Sequence, residues 1–240
     1  MISYFSEEPK KYMIVGGMQY NTSEVISLDK NNTAIVLVDL NSQLPSTEWG
    51  AVGGIIGNVP ILCGLFKKDY CLTFQNSSWS NLNLSMIEEG REYAASIQVN
   101  STSIWVVGGK KHDTNPWVFM DSTEFINQNA SKAIAGPKLP YKMYGMCMIK
   151  LSEDQIYVIG GRNETLGYMN EVWIFNPKNG FNKTQGLSMK TERMFHACGT
   201  MNDGNDTLIV VAGGYNENGS LDSVEIYNQT ENKWFAGEIP

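Results

Sequence analysis

The chain has 240 residues, 42% of them hydrophobic, enough for one large core or two small ones. Its 18 basic and 25 acidic side chains leave a net charge of −7, and no basic run exceeds Lys10-Lys11 or Lys110-Lys111. Nucleic acid and anionic membranes are therefore not the expected partners. The longest apolar stretch, residues 50–66, is broken by Gly53, Gly54, Asn58 and Pro60, so no membrane insertion is expected.

In chain order, an apolar run ending in a glycine pair recurs at Gly16-Gly17, Gly108-Gly109, Gly160-Gly161 and Gly213-Gly214, with a degenerate copy at Gly64-Leu65. The first glycines are 48, 44, 52 and 53 residues apart, a period that implies four-stranded propeller blades. A glycine pair where a strand turns into its loop predicts positive φ and close backbone approach. After a variable loop, each copy continues as a strand: SEVISLD at Ser23, DYCLTFQ at Asp69, DSTEFIN at Asp121, NEVWIFN at Asn170 and DSVEIYN at Asp222. The sixth residues, Leu28, Phe74, Ile126, Phe175 and Tyr227, are expected to point at a neighbouring blade, and the closing Asp, Asn or Gln to cap a turn. About fifteen to eighteen residues before the glycines, Trp49-Gly50, Tyr93-Ala94, Tyr144-Gly145 and Phe195-His196 mark the innermost strand. The fourth strand is the weakest column, with Trp79, Phe181 and Trp234. Blade one lacks an evident first strand unless residues 2–5 supply it.

The diglycine, the aromatic at the sixth place and the Trp after a turn resemble the kelch repeat over nearly the whole chain. The resemblance implies an all-β, kelch-type β-propeller with five visible blades, or part of a six-bladed ring, whose loops bind partners, usually proteins. The expectation is a single domain over residues 1–240, incomplete at one or both ends, with blades at about 1–41, 42–83, 84–136, 137–187 and 188–240. Departures from the pattern are Leu65 at the second glycine and the missing tryptophans in copies one and three.

Of the four cysteines, Cys63 and Cys71 flank GLFKKDY on adjacent strands and are a candidate disulfide. Cys147 and Cys198 each lie three residues after an aromatic; equivalent places in a repeat favour two free thiols, though a bridge between blades is open to them. His112 and His196 are in different copies, and neither has metal ligands at useful spacing. Arg91 and Arg193 start inner strands. The resemblance allows them to face a channel mouth as part of an acidic-ligand pocket; the alternative is bonding to loop carbonyls. Thr47 and Lys142 stand in the other copies. The candidate binding face is Arg91, Arg193, His196, Trp117, Phe119 and Tyr168, the aromatics being anchor types for an interface.

Asn-X-Ser/Thr occurs at Asn21, Asn31, Asn76, Asn83, Asn100, Asn129, Asn163, Asn182, Asn205, Asn218 and Asn228, against about three expected by chance from the composition. These are candidate N-glycosylation sites and favour a secreted chain, although Asn- and Ser-rich turns also generate such triplets. MISYFSEEPKK lacks the apolar core of a signal peptide, which alone favours a cytoplasmic chain; secretion requires Met1 to be a processed or incomplete start. The expected function is a non-enzymatic propeller, without cofactor or metal, that binds a protein or glycan outside the cell. A copper oxidase would need paired histidines, and a glycan hydrolase paired carboxylates; neither pattern is present, so these enzymes are the alternative reading, with a cytosolic kelch adaptor as a third.

Overall fold

Each copy of the repeat folds as a four-stranded antiparallel sheet whose strands lie side by side in chain order. The structure is a computed structural model that describes residues 2–4, 11–17, 20–28, 35–45, 50–64, 69–76, 78–88, 90–182, 187–204 and 206–237. Among these there are strands and turns but no helix. Blade one comprises Ile2–Tyr4, Lys11–Gly17, Tyr20–Leu28 and Ile35–Gln43. Its first strand is therefore the short N-terminal segment, with Ile2 opposite Met13. Blade two comprises Val52–Ile56, Val59–Cys63, Tyr70–Gln75 and Ser78–Ser85, and blade three Ala95–Asn100, Ser103–Val107, Thr123–Asn127 and Ile134–Ala135. Blade four comprises Cys147–Ser152, Gln155–Ile159, Val172–Asn176 and Gly180–Asn182; blade five comprises Ala197–Asp203, Asp206–Ala212, Val224–Asn228 and Lys233–Gly237. The described residues are all-β, arranged in the four-stranded antiparallel blades that the sequence resemblance implies.

The register explains two of the sequence columns as one device. Tyr227 lies opposite both Ile209 and Trp234, so these three stand in a row on one face of blade five. Phe74 is likewise opposite Trp79, and Phe175 opposite Phe181, with ring centroids 5.2 and 4.9 Å apart. A large side chain buried this way contributes roughly 2–3 kcal/mol. The residues that close the third strands cap their turns as expected: the Oδ1 atoms of Asn127, Asn176 and Asn228 accept the N–H two residues on, at 2.9, 2.8 and 2.8 Å.

The chain divides into two compact units. The first is Met1–Val106, Lys111–Trp117 and Glu124–Gly136. One of its cores packs Val52, Ile56 and Ile61 against Ile104, Val106 and Ile126, and a second gathers Leu44, Ile55, Leu62 and Leu72. Cys63 and Cys71, directly opposite on neighbouring strands and fully buried, are joined by a disulfide.

The second unit is Val107–Lys110, Val118–Thr123 and Pro137–Pro240. Its core sets Ile149, Tyr157 and Ile159 of blade four against Ile209, Val211, Tyr227 and Trp234 of blade five. The indole N–H of Trp234 donates to the Leu187 carbonyl at 2.7 Å. At Gly160, φ +60°, the two blades meet closely: a Cβ there would stand 2.7 Å from the Arg193 carbonyl oxygen. That oxygen also accepts the Gly161 N–H at 2.8 Å. In the first unit Gly64 holds the Arg91 carbonyl in the same way, so blade two keeps the glycine that matters.

Cys147 and Cys198 are corrected from free thiols to a disulfide with Cα atoms 6.1 Å apart. Their positions are not equivalent. Cys147 pairs with Ile159, just before one glycine pair, and it is Ala197 that pairs with Ala212 before the next. The aromatic column divides for the same reason. The positive-φ position before each inner strand is Gly50, Tyr93, Gly145 and Phe195, whereas Tyr144 lies one residue earlier. Tyr93 and Phe195 donate their N–H groups to Gly50 and Gly145 at 2.8 Å, so an aromatic in one blade sits on a glycine in another. Trp49, Leu65, Asn31 and Asn205 lie outside the described residues.

Candidate functional site

Arg91 and Arg193 are fully buried and so present nothing to a ligand. Arg193 Nη2 donates to Glu225 Oε1 at 2.8 Å and Nη1 to the Gly213 carbonyl at 2.7 Å, while Glu225 accepts the Lys190 and Thr191 N–H groups. Arg91 pairs with Glu124 at 2.7 Å, and Glu124 accepts the Ile87 and Glu88 N–H groups. Each pair is an internal clasp, close to the loop-bonding alternative, with Arg193 Nε left buried without an acceptor. The sequence does carry a signal for it. Glu stands at the fourth place of DSTEFIN and DSVEIYN, in the two blades that start with Arg, while blade four has Trp173 there and blade two Leu72.

His196 is also buried, between the glycine pairs of blades four and five. Neither ring nitrogen meets a hydrogen-bond partner, although the Ile159 and Arg193 carbonyls lie close enough to favour the charged form slightly. Burial first, and the Arg193 charge second, lower its pKa to about 4. Phe119 is buried edge-on against Tyr144, ring centroids 4.7 Å apart, and Trp117 in the first unit is 50% exposed. His112 is not isolated: Nδ1 faces Glu92 in a buried pair, and Nε2 is 3.2 Å from the Asp113 carboxylate. Among the described residues no group of His, Cys, Asp and Glu is arranged to hold a metal ion.

What the second unit does present is a cation set among aromatic rings. Three short strands, Met143–Tyr144, Arg162–Asn163 and Gly167–Tyr168, place Tyr144, Arg162 and Tyr168 directly opposite one another. Arg162 Nη1 donates to the Tyr144 hydroxyl at 3.4 Å, and the guanidinium carbon stands 5.4 Å from the Tyr168 ring centre. The Tyr144 contact raises the Arg162 pKa further, against the opposing effect of burial. The row extends to Tyr215, 6.1 Å from Tyr168, and to Phe195, 5.8 Å from Tyr144. Phe195, Tyr215 and Leu166 are 48%, 42% and 55% exposed. Among the described residues Arg162 forms no ion pair, and its Nε is buried without an acceptor.

Two asparagines fix the loops that carry these rings. Asn163 Oδ1 accepts the Thr165 and Leu166 N–H groups at 2.8 Å, and its Nδ2 donates to the Lys142 carbonyl. Asn216 does the same between the Asn218 N–H and the Glu192 carbonyl. Asn163 is thus a buried turn residue whose amide nitrogen is engaged, which removes it from the surface acceptors. Asn76, Asn83, Asn100, Asn129, Asn182 and Asn218 are exposed, Asn228 is half-buried, and Asn21 lies in a strand of blade one. Of this cluster the sequence singled out Tyr168 alone as a binding residue, and marked Tyr144 and Phe195 only as a strand column. Arg162 and Tyr215 share a signal it did not use: each is the first residue after a glycine pair.

A Kelch motif family model matches residues 152–180 and 205–236, strands of blades four and five. Kelch-like protein 40 of Mus musculus is 31% identical over 137 residues, 57% of this chain and 21% of that protein. Kelch-like protein 41a of Danio rerio is 33% identical over 132 residues, 55% and 20% of the two chains. The matched segment therefore spans about a fifth of the length of these relatives. With five repeat copies folded as four-stranded blades, and the motif matched in two of them, the chain is a kelch-repeat protein.

Proposed function

We propose that this chain is a non-enzymatic binding module that engages a protein partner through Phe195, Arg162, Tyr168 and Tyr215, with the buried Tyr144 supporting Arg162 from behind. The observation that carries the reading is Arg162: a guanidinium held by tyrosines, without an ion pair among the described residues, beside exposed aromatic side chains. Tyr and Arg dominate binding energy at protein interfaces, because each combines a large contact area with a directed polar group. Kelch repeats typically serve as interaction modules, which is consistent with it. An exposed tyrosine such as Tyr215 also stacks on sugar rings, so a glycan ligand is the second reading.

An extracellular setting is part of the proposal. It is supported by the exposed sequons and by the two disulfides, which persist in oxidising compartments. Opposing it, Asn100 and Asn228 use their triplets as turns, with Thr102 and Thr230 N–H groups on their Oδ1 atoms at 2.9 and 2.8 Å. Glycosidase treatment of the secreted chain decides this point: a mobility shift supports the setting, and none refutes it.

The binding reading is tested by placing a photo-crosslinking residue at Tyr215 and, as a control, at Lys178. Lys178 lies in the turn at the opposite end of blade four, paired with Asp154. The expected result is a discrete protein adduct from position 215 that disappears with Arg162→Ala and is absent from position 178. Adducts equal at both sites, or unaffected by Arg162→Ala, refute it.

A further inference from the structure

The two disulfides differ in what could reach them and in what they hold. Cys63–Cys71 joins neighbouring strands within blade two, and both residues are 0% exposed. Cys147–Cys198 joins the first strands of blades four and five across 51 residues of chain, and both cysteines are half-buried. The strand carrying Cys198, Ala197–Asp203, is exposed at almost every position. Thiol–disulfide exchange requires a thiolate to reach a sulfur atom, so the second disulfide is the one open to it.

Its position gives the exchange a consequence. Cys147 is two residues beyond Gly145 and Cys198 three beyond Phe195. Those two residues meet directly: the Phe195 N–H donates to the Gly145 carbonyl at 2.8 Å, and the Phe195 ring lies 3.1 Å from where a Cβ on Gly145 would stand. The disulfide thus ties the two strands beside the point where the exposed Phe195 ring rests on its neighbour. Deeper in the unit, the core of Ile149, Tyr157, Ile159, Ile209 and Val211 holds the blades together independently of the sulfurs.

We propose that Cys147–Cys198 is a thiol-exchange site that controls the order of the Phe195 end of the aromatic row. A low-molecular-weight thiol such as glutathione supplies the electrons. Its thiolate attacks one protein sulfur, forms a mixed disulfide and releases the other cysteine as a thiolate. A second glutathione thiolate attacks the glutathione sulfur of the mixed disulfide, releasing the remaining cysteine and glutathione disulfide. Two glutathione thiols are oxidised, two cysteines are reduced, and the two protons pass to the cysteines. Oxidised, the strands hold Phe195 over Gly145; reduced, that corner opens while the blade core stays packed. The functional importance of this corner rests on the binding role proposed above, but the exchange itself does not.

The test needs no partner. The chain, purified without reductant, is equilibrated near neutral pH in glutathione buffers of graded ratio, alkylated, and both cysteine pairs are scored by peptide mass spectrometry. Backbone hydrogen exchange is followed in parallel. Cys147–Cys198 should open at ratios that leave Cys63–Cys71 intact. Exchange around Phe195 should then quicken about tenfold or more, while residues 209–211 stay protected. Cys147→Ser should reproduce that pattern without reductant. Both pairs opening together, free thiols in the purified chain, or selective reduction with Phe195 exchange unchanged would overturn the proposal. Selective opening with the Phe195 response, but no adduct from position 215, leaves the exchange site standing and refutes the binding role instead.

Discussion

Arg193 and Glu225 bury opposite charges with nearly every polar atom engaged, and such a pair is costly to halve. Arg193→Met leaves the Glu225 carboxylate buried without its cation and is expected to destabilise the fold by about 3–5 kcal/mol in urea unfolding. Adding Glu225→Leu should recover much of that loss, since the pair then leaves together; no recovery would mean the guanidinium acts mainly through the Gly213 and Ser223 carbonyls. His196 makes a pH prediction of definite sign. Its folded pKa, about 4, is below the ordinary value of 6.5, so the unfolded chain takes up the proton first as pH falls. Stability is unaffected above pH 6.5 and is lost progressively between 6.5 and 4, by about 3 kcal/mol in all. His196→Leu should flatten that part of the profile relative to the parent; parallel profiles would show that His196 is not the group responsible. Arg193 and His196 are conspicuous in the sequence, but their burial is not, because a charged or titratable residue at a strand start reads equally well as surface. The partner that settles Arg193, Glu225, is 32 residues away and is visible only when the repeats are laid over one another.

At the level of strands, a paired and a lone glycine separate conformational from steric need. Gly160 and Gly180 both have positive φ, +60° and +77°, but a Cβ on Gly160 meets the Arg193 carbonyl at 2.7 Å and one on Gly180 meets nothing within 4 Å. Gly180→Ala should cost about 1–2 kcal/mol, the left-handed penalty alone. Gly160→Ala should cost clearly more, measured by urea unfolding of the two variants; equal losses would mean that the blades yield freely at that point. The strand columns were legible because period-two alternation and the position of a Trp or Tyr follow from pleat geometry. The start of each inner strand was not, since Tyr93 and Phe195 occupy a positive-φ site where Gly50 and Gly145 stand in other blades. Aligning aromatic with aromatic shifts the register by one residue, and that shift hid the Cys147–Cys198 bridge.

At the scale of the whole chain, five blades and the all-β class could be read from the repeat, while the binding surface could not. Trp117, Phe119, Arg91 and Arg193 were reasonable anchors by residue type, yet three of the four are buried. Arg162, Tyr215, Tyr144 and Phe195 come from four separate segments, and only strand pairing and loop turns bring them into one row. The account therefore stands on that row. Its most direct test is the dissociation constant of the partner captured at position 215, measured for the parent and for Arg162→Ala, Tyr215→Ala and Lys178→Ala. We predict about tenfold or greater weakening for each of the first two, some 1.4 kcal/mol or more, and no appreciable change for Lys178→Ala. Affinity unchanged by Arg162→Ala and Tyr215→Ala would contradict the account.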